Sequence, residues 1–398
     1  MDIKKTLVTL ADWWPTKKQK ENVLKVLDSG RLTYGPFTKE LEEKFAKKHN
    51  FKYAIFTNSG TSALEIAWHY LKDKYNWPDG AEVLVPAVTF VATVNVLLHQ
   101  RLKPVLVDID PTTFNMDPGK TFDAIASRIK KPVAICPVDL LGRPINPEIF
   151  KIARGYKLKV VEDSCETMFV SHSNGKPVGS MADLACYSSY LAHIISTGVG
   201  GFLCTNSKKE EEYLRGMIWH GRDSMYYYFD QHKTINKRIM QARFRFDKPG
   251  YSYRLTEMEA ALGVDEVDRA EEIIEKRKEN AYFLSDLLID STLTEYLSLP
   301  SLIEENAWMF FPIVCKDDID RDKLCLFLEE KGIQTRYIMP LINQPVFKGM
   351  WNQKDYPVAG WLDKKGFLIG CHQFLTTEDL KYVAKVLSEF FKEKEGVF

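Results

Sequence analysis

The stretch "YAIFTNSGTSALEIAWHYL", residues 53–71, passes from a short apolar strand through Asn-Ser-Gly straight into a helix. At such a junction the amides of Gly60, Thr61 and Ser62 can converge with the positive end of the helix dipole on an anion such as a phosphate. A plain N-capped helix whose glycine serves the turn is the simpler reading of these residues alone. Outward from this point, further apolar runs alternate with helical stretches: "EVLVP" at 82, "PVLVDI" at 104, "PVAICPV" at 132, "LKVVED" at 158, "LACYS" at 184 and "GGFLCT" at 200. Strands that are apolar throughout and separated by helices form a mostly parallel sheet covered on both faces, so an α/β domain is predicted over about residues 50–250.

Past this domain the pattern changes. The spacing of apolar residues predicts one long amphipathic helix from about Thr256 to Leu288, bridging to a second unit. The remainder, with "WMFFPIVC" at 308, "IQTRYI" at 333, "GFLIGC" at 366 and helices at about 320–331 and 376–393, predicts a small α+β domain. The division is therefore 1–250, 251–290 and 291–398.

Composition narrows the function classes. The 54 basic and 54 acidic side chains cancel, which argues against a nucleic acid or an anionic membrane as partner. The cysteines, at 136, 165, 186, 204, 315, 325 and 371, lack CxxC spacing, so no metal site is expected, and their scatter suits a reducing cytoplasm. The apolar run before Asp12 is too short for a secretory core, and no uncharged stretch reaches spanning length, so a soluble cytoplasmic protein is expected.

Several residues stand where a planar, phosphorylated ligand would need them. In "PAVTFVAT", residues 86–93, Phe90 follows a strand and can place a ring over a flat cofactor, although such aromatics usually join the core. In "LKVVEDSCE", residues 158–166, Glu162 and Asp163 end a buried strand, the edge where open α/β sheets bind ligands. A buried carboxylate is costly without a cation or donors, and a protonated pyridine nitrogen would meet the need of Asp163; a helix N-cap is the alternative. Glu166 can orient a neighbouring base, contact the ring, or simply favour a helix start. In "YSSYLAHIISTGVGG", residues 187–201, Ser188 can donate to a phosphate, and the glycines at 198, 200 and 201 permit close backbone approach. No lysine occurs between Lys176 and Lys208, and His193 occupies the middle of this segment. Arg222, Arg254 and Arg336 are candidate diphosphate or carboxylate partners, with surface ion pairing as the alternative for each. "MYYYFDQH", residues 225–232, can line a cleft or serve packing, and "SNGKPVG", residues 173–179, predicts a hairpin turn.

Together with "SGRLTYGPFTKELEEKFA", "VDIDPTTFNMD", "PVDLLGRP", "VGSMADLACYSSY" and "GYSYRLTEMEAALG", these segments resemble the nucleotide-sugar aminotransferases of the DegT-like family over nearly the whole chain. The resemblance implies a fold-type I pyridoxal phosphate enzyme, with a large mostly parallel seven-stranded sheet and a smaller C-terminal α+β domain. It implies that Gly60, Thr61 and Ser188 hold the cofactor phosphate, that Phe90 stacks on the ring and that Asp163 faces the pyridine nitrogen. It also implies a homodimer with shared active sites, in which Ser252 stands where relatives usually carry an asparagine that reaches the partner's phosphate.

His193 stands where aminotransferases of the family place the lysine that binds the cofactor covalently. An imidazole loses the covalent tether but still moves protons near neutral pH. The same replacement marks a branch of the family, the pyridoxamine phosphate dependent 3-dehydratases of 4-keto-6-deoxy sugar nucleotides. In the mechanism this implies, His193 takes a proton from the cofactor methylene, and the C3 hydroxyl of a nucleotide-linked 4-keto sugar is expelled, with glutamate as candidate amino donor. "WHGRDS", residues 219–224, is similar to a segment of the iron-sulfur members, but no cysteine lies between Cys204 and Cys315, so no cluster is expected. The alternatives are an aminotransferase with noncovalent cofactor and a non-catalytic binding homologue, for which Val199 and Ser252 leave room.

Overall fold

The computed structural model describes residues 8–222, 237–242, 244–316, 318–338 and 341–395; "MYYYFDQH" and the last two residues of "WHGRDS" lie outside them. Helices α1 (Lys17–Ser29) and α2 (Pro36–Lys48) precede strand β1 (Tyr53–Thr57), and helix α3 (Gly60–Tyr75) follows it directly. Then come β2 (Glu82–Pro86), α4 (Ala92–His99), β3 (Lys103–Val107), α5 (Pro118–Ala126), β4 (Ala134–Ile135), α6 (Glu148–Gly155), β5 (Lys159–Asp163), β6 (Leu184–Ser188), β7 (Gly201–Thr205) and α7 (Lys208–Ile218). The seven strands form one sheet in the order β1-β7-β6-β5-β4-β2-β3. Its inner strands run parallel, and β7 is antiparallel to both β1 and β6. Each strand lies on an apolar run expected from the sequence, because a strand covered by helices on both faces carries no polar alternation to blur it.

Helix α3 starts where it does because the Ser59 side chain accepts from the Ser62 amide and caps it. It ends on Asn76, which adopts the left-handed conformation that stops a helix. Among its first residues, Gly60 is fixed by packing. A Cβ there would lie 2.6 Å from Cys165 Sγ and 2.8 Å from Ser188 Cβ, so only glycine lets the helix start sit against the end of β6. Gly201 meets it from the other side, where a Cβ would fall 2.4 Å from the Gly60 nitrogen.

The bridging segment differs from expectation. The single helix predicted from Thr256 to Leu288 is two helices, α8 (Glu257–Asp268) and α9 (Ala270–Asp290), broken at Arg269. The apolar spacing continues across the break, which hides it from a periodicity argument. The helices share one core at the break, where Val264 and Val267 of α8 cluster with Ile273 and Ile274 of α9, and part beyond it: Asp268 pairs with Lys18 and Lys44, whereas Ala281, Leu284 and Leu288 of α9 fill the small-domain core. Capping fixes the start of α8, since Thr256 and Glu259 bond each other's backbone amides reciprocally.

Glu257, in the first turn of α8, is a buried carboxylate that serves the start of α2. It accepts from the amides of Gly35 at 2.7 Å, Phe37 at 2.9 Å and Thr38 at 3.0 Å, as well as from the Thr38 hydroxyl. Glu257→Ala strands these donors, and a loss of about 3 kcal/mol in unfolding free energy is expected. Equilibrium denaturation measures it; a variant within about 0.5 kcal/mol of the parent would show that water replaces the carboxylate.

The small domain carries a four-stranded sheet in the order β10-β11-β9-β8, built from β8 (Leu297–Ser298), β9 (Phe311–Cys315), β10 (Arg336–Tyr337) and β11 (Gly366–Ile369). The expected helices appear as α10 (Arg321–Glu330) and α12 (Thr377–Glu395), with α11 (Pro357–Lys365) between them. Two junctions tie it to the large domain. The Asp108 carboxylate, just past β3, accepts from the Val358 and Ala359 amides at 3.0 Å each and so caps α11. Gly142 of "PVDLLGRP" lies flat against the segment before β9; a Cβ there would stand 2.5 Å from the Trp308 nitrogen. The "SNGKPVG" turn is a hairpin, with the His172 amide bonded to the Lys176 carbonyl and Ser171 opposite Pro177. Among the described residues, no helix is long and apolar enough to cross a membrane.

Candidate active site

Strand β5 ends with two acids in succession, and the alternation of a strand sends them to opposite faces of the sheet. Glu162 faces His172, whose Nε2 lies 3.0 Å from the carboxylate. His172 Nδ1 lies 3.1 Å from the Ile145 carbonyl, so both ring nitrogens face acceptors and the ring is an imidazolium, pushed up to about 9 chiefly against the opposing effect of burial by the bond to Glu162. Asp139 completes this fully buried group, and burial raises its carboxyl well above the usual range. With both imidazole nitrogens engaged, the group is an internal ion cluster beneath the sheet.

Asp163 points the other way, toward the start of α4. Thr93, at the start of α4, donates its hydroxyl to Asp163 Oδ2 at 2.8 Å and is itself paired with the Thr89 hydroxyl at 2.9 Å. The Cys165 amide adds a bond of 3.2 Å to Oδ1. No cation is within 4.0 Å of this carboxylate among the described residues, and burial raises its affinity for a proton against those bonds. A buried anion held by neutral donors and lacking a cation suits a protonated ring nitrogen.

Glu166 lies a turn further on. Its carboxylate is buried and accepts from the Leu141 amide at 2.8 Å. Burial pushes it up to about 7, the Leu141 bond opposes that, and Asp163 adds to it. Because the folded value exceeds the ordinary 4.5, the folded chain holds a proton that the unfolded chain has released, and the stability this confers is lost as pH rises from 4.5 through about 7. Glu166→Gln is therefore expected to gain on the parent by about 3 kcal/mol between pH 4.5 and pH 8 in cofactor-free protein. Urea denaturation at the two pH values measures this, and a difference independent of pH would refute it.

The remaining residues gather at the ends of β6 and α3. Ser188, the last residue of β6, is buried beside Gly60, and its Oγ accepts from the Tyr190 amide at 3.3 Å. Thr61 is exposed at the first turn of α3, next to the free amide end. Phe90 is 55% exposed, an unusual state for a large aromatic so close to a sheet edge, and it is thus free to cover a planar ligand. His193 is half-buried; its amide bonds the Tyr190 carbonyl at 2.9 Å and its Nδ1 faces the Ser188 carbonyl at 3.3 Å. A carbonyl only accepts, so Nδ1 carries the proton and Nε2 holds the lone pair. Burial lowers the imidazole to about 4, the Ser188 carbonyl resists this and the Arg277 guanidinium reinforces it. At neutral pH His193 is thus an unprotonated base.

The "GYSYRL" loop reaches the same region, since the Asn58 amide bonds the Tyr253 carbonyl at 2.9 Å. Ser252 Oγ accepts from Arg254 at 2.9 Å, and the Arg254 guanidinium lies 4.6 Å over the Trp219 ring and 3.2 Å from His220 Nε2. Arg222 lies over the rings of Phe244 and Phe246. Arg336 sits apart on edge strand β10 of the small domain, beside Glu329 at 3.8 Å. Val199 is exposed on the loop before β7. Sequence reasoning passed over Thr93, the Leu141 amide and Arg277. The pair of threonines four apart at a helix start was a visible signal for the first, whereas nothing in the local sequence marks the others.

The chain is similar to known proteins along nearly its whole length. A GDP-4-keto-6-deoxy-D-mannose 3-dehydratase of Yersinia pseudotuberculosis is 31% identical over 389 residues, covering 94% of this chain and 96% of the relative. A GDP-perosamine synthase of Escherichia coli O157:H7 is 28% identical over 382 residues, covering 95% of this chain and 97% of the relative. A solved structure of GDP-4-keto-6-deoxymannose-3-dehydratase with a trapped PLP-glutamate geminal diamine superimposes with a TM-score of 0.85 at 27% identity, covering 96% of this chain and all of the other. The pyridoxal phosphate dependent DegT/DnrJ/EryC1/StrS aminotransferase family matches residues 15–388, a span that takes in both sheets, and the chain belongs to that family.

Proposed function

We propose that the protein is a 3-dehydratase that removes the C3 hydroxyl of a nucleotide-linked 4-keto-6-deoxy sugar, using noncovalent pyridoxamine phosphate. The observation that carries this reading is His193, a neutral imidazole with its Nε2 lone pair available, in a segment without lysine from residue 177 to 207. Bound pyridoxamine phosphate supplies an amine for the C4 ketone and, in its protonated ring, an electron sink. The residues fit that group: a glycine-packed helix start for the phosphate, an exposed ring at Phe90, and a buried anion without a cation at Asp163.

The amides of Gly60 and Thr61 hold the phosphate, the Ser62 amide being committed to the Ser59 side chain, with Ser188 at its side, and Asp163 keeps the pyridine nitrogen protonated. His193 takes a proton from the methylene carbon next to the amine, and the same imidazole, once protonated, can deliver that proton to the departing C3 oxygen. Arg222 and Arg254 carry cationic charge toward the nucleotide diphosphate, and a homodimer brings the Ser252 loop to the partner's site. Glutamate would restore the amine, whose nitrogen would leave as ammonia when water hydrolyses the deoxygenated product to its C4 ketone.

Similarity to the GDP-perosamine synthases supports a second reading, an aminotransferase with noncovalent cofactor. The absence of lysine weighs against it, because transimination and the usual proton shuttle both depend on that amine. Incubation with pyridoxamine phosphate and a panel of GDP-, CDP-, dTDP- and UDP-linked 4-keto-6-deoxy sugars tests the proposal by mass spectrometry. A product lacking one oxygen supports it; no cofactor turnover with any member of the panel would sink it.

A further inference from the structure

The loop that carries His193 is held from two sides. Glu266 of α8 accepts from the Ser196 amide at 3.2 Å and fixes the far end within the large domain. The near end is held by Arg277 of α9, whose Nη2 donates to the His193 carbonyl at 3.2 Å. The same guanidinium uses Nη1 to bond the Trp308 carbonyl at 3.2 Å and the Met309 carbonyl at 3.0 Å, in the segment that leads into β9. Arg277 is 2% exposed, has no carboxylate within 4.0 Å among the described residues, and leaves its Nε without an acceptor. A buried guanidinium compensated only by backbone carbonyls is an expensive way to add stability, because an apolar side chain of similar volume avoids the desolvation. What it provides instead is a rigid fork that spans two separate pieces of backbone.

We infer that Arg277 is the positioning residue of His193: one guanidinium ties the loop carrying the base to the segment that leads into β9, so the placement of the base follows the placement of that segment. This rests on the reading of His193 as the base. Asn280, one turn further along α9, bonds the His372 carbonyl at 2.8 Å and anchors the same helix to the small domain. The groups facing the imidazole are the Ser188 carbonyl and the Tyr190 ring of its own loop and the Arg277 charge from α9. Arg277 in turn feels Cys371 and His372 of the small domain and Glu266 of α8. Its positive charge also disfavours protonation of His193.

Two variants separate span from charge. Lysine at 277 keeps the cation but cannot bridge His193 to Trp308 and Met309; methionine removes both. In cofactor-free protein, the His193 ring resonance, assigned by its loss in H193N, is followed by NMR as a function of pH. For R277K the expected result is a displaced His193 resonance with a titration midpoint still near that of the parent, and for R277M a displaced resonance with a raised midpoint. In protein loaded with pyridoxamine phosphate, kcat is expected to fall roughly tenfold or more in R277K with KM for the sugar nucleotide little changed, as a misplaced base requires. The inference is overturned if R277K matches the parent in resonance and kcat, whether or not R277M folds, since Arg277 would then serve stability alone. Because the ring titration needs neither cofactor nor substrate, it decides the matter even if the dehydratase reading fails.

Discussion

His193→Asn is expected to abolish turnover, by roughly 10³-fold or more, while cofactor affinity stays within a few-fold of the parent. The expectation follows from the hydrogen bonds. Nδ1 donates to the Ser188 carbonyl, so Nε2 alone carries the lone pair, and an asparagine amide can keep the first bond but offers no basic nitrogen. The proposed phosphate site lies elsewhere, at the start of α3, and is untouched by the substitution. Steady-state assay and a binding isotherm for pyridoxamine phosphate separate the two effects. Retention of more than about a tenth of the parent activity would remove His193 from the chemistry. Equal loss of binding and turnover would make it a contact instead.

Asp163→Asn is expected to act in two opposite directions. The carboxylate is buried, and burial raises its proton affinity, so its replacement by a neutral amide relieves the cofactor-free protein of a desolvated charge. Stability without cofactor should therefore hold or rise. Turnover should fall by roughly 10²–10⁴-fold, because an amide cannot keep the pyridine nitrogen protonated and the electron sink weakens. Thermal denaturation without cofactor, set beside turnover with it, makes the test. A simple helix cap would tolerate asparagine in both measurements, and that result would overturn the assignment of Asp163.

Much of this architecture was legible because buried parallel strands leave uninterrupted apolar runs, and every strand of the large sheet sits on one. The break at Arg269 was not legible, since no proline or glycine marks it and the apolar spacing is continuous across it; only the later part of α9, from Ala281, enters the second core. Strand β8 was also missed, being only the pair Leu297–Ser298 and defined by its pairing with β9. In the site, Phe90, Asp163, Ser188 and His193 could be named because each lies at a strand end or in a segment whose order is specific. Arg277 could not, because its role comes from a fold that brings residues 193, 277 and 308 together. The two acids of "VVED" looked alike in sequence, and only strand alternation sorts Glu162 to an internal ion cluster and Asp163 to the start of α4.

The fate of nitrogen in a single turnover tests the central claim most directly. Protein is loaded with pyridoxamine phosphate carrying an isotopically labelled amine and mixed with a nucleotide-linked 4-keto-6-deoxy sugar. Deoxygenation with His193 as base predicts that the label leaves as ammonia while the sugar keeps its C4 ketone and carries a methylene at C3. Label recovered on C4 of a sugar that retains its C3 hydroxyl would contradict the account and make the protein an aminotransferase.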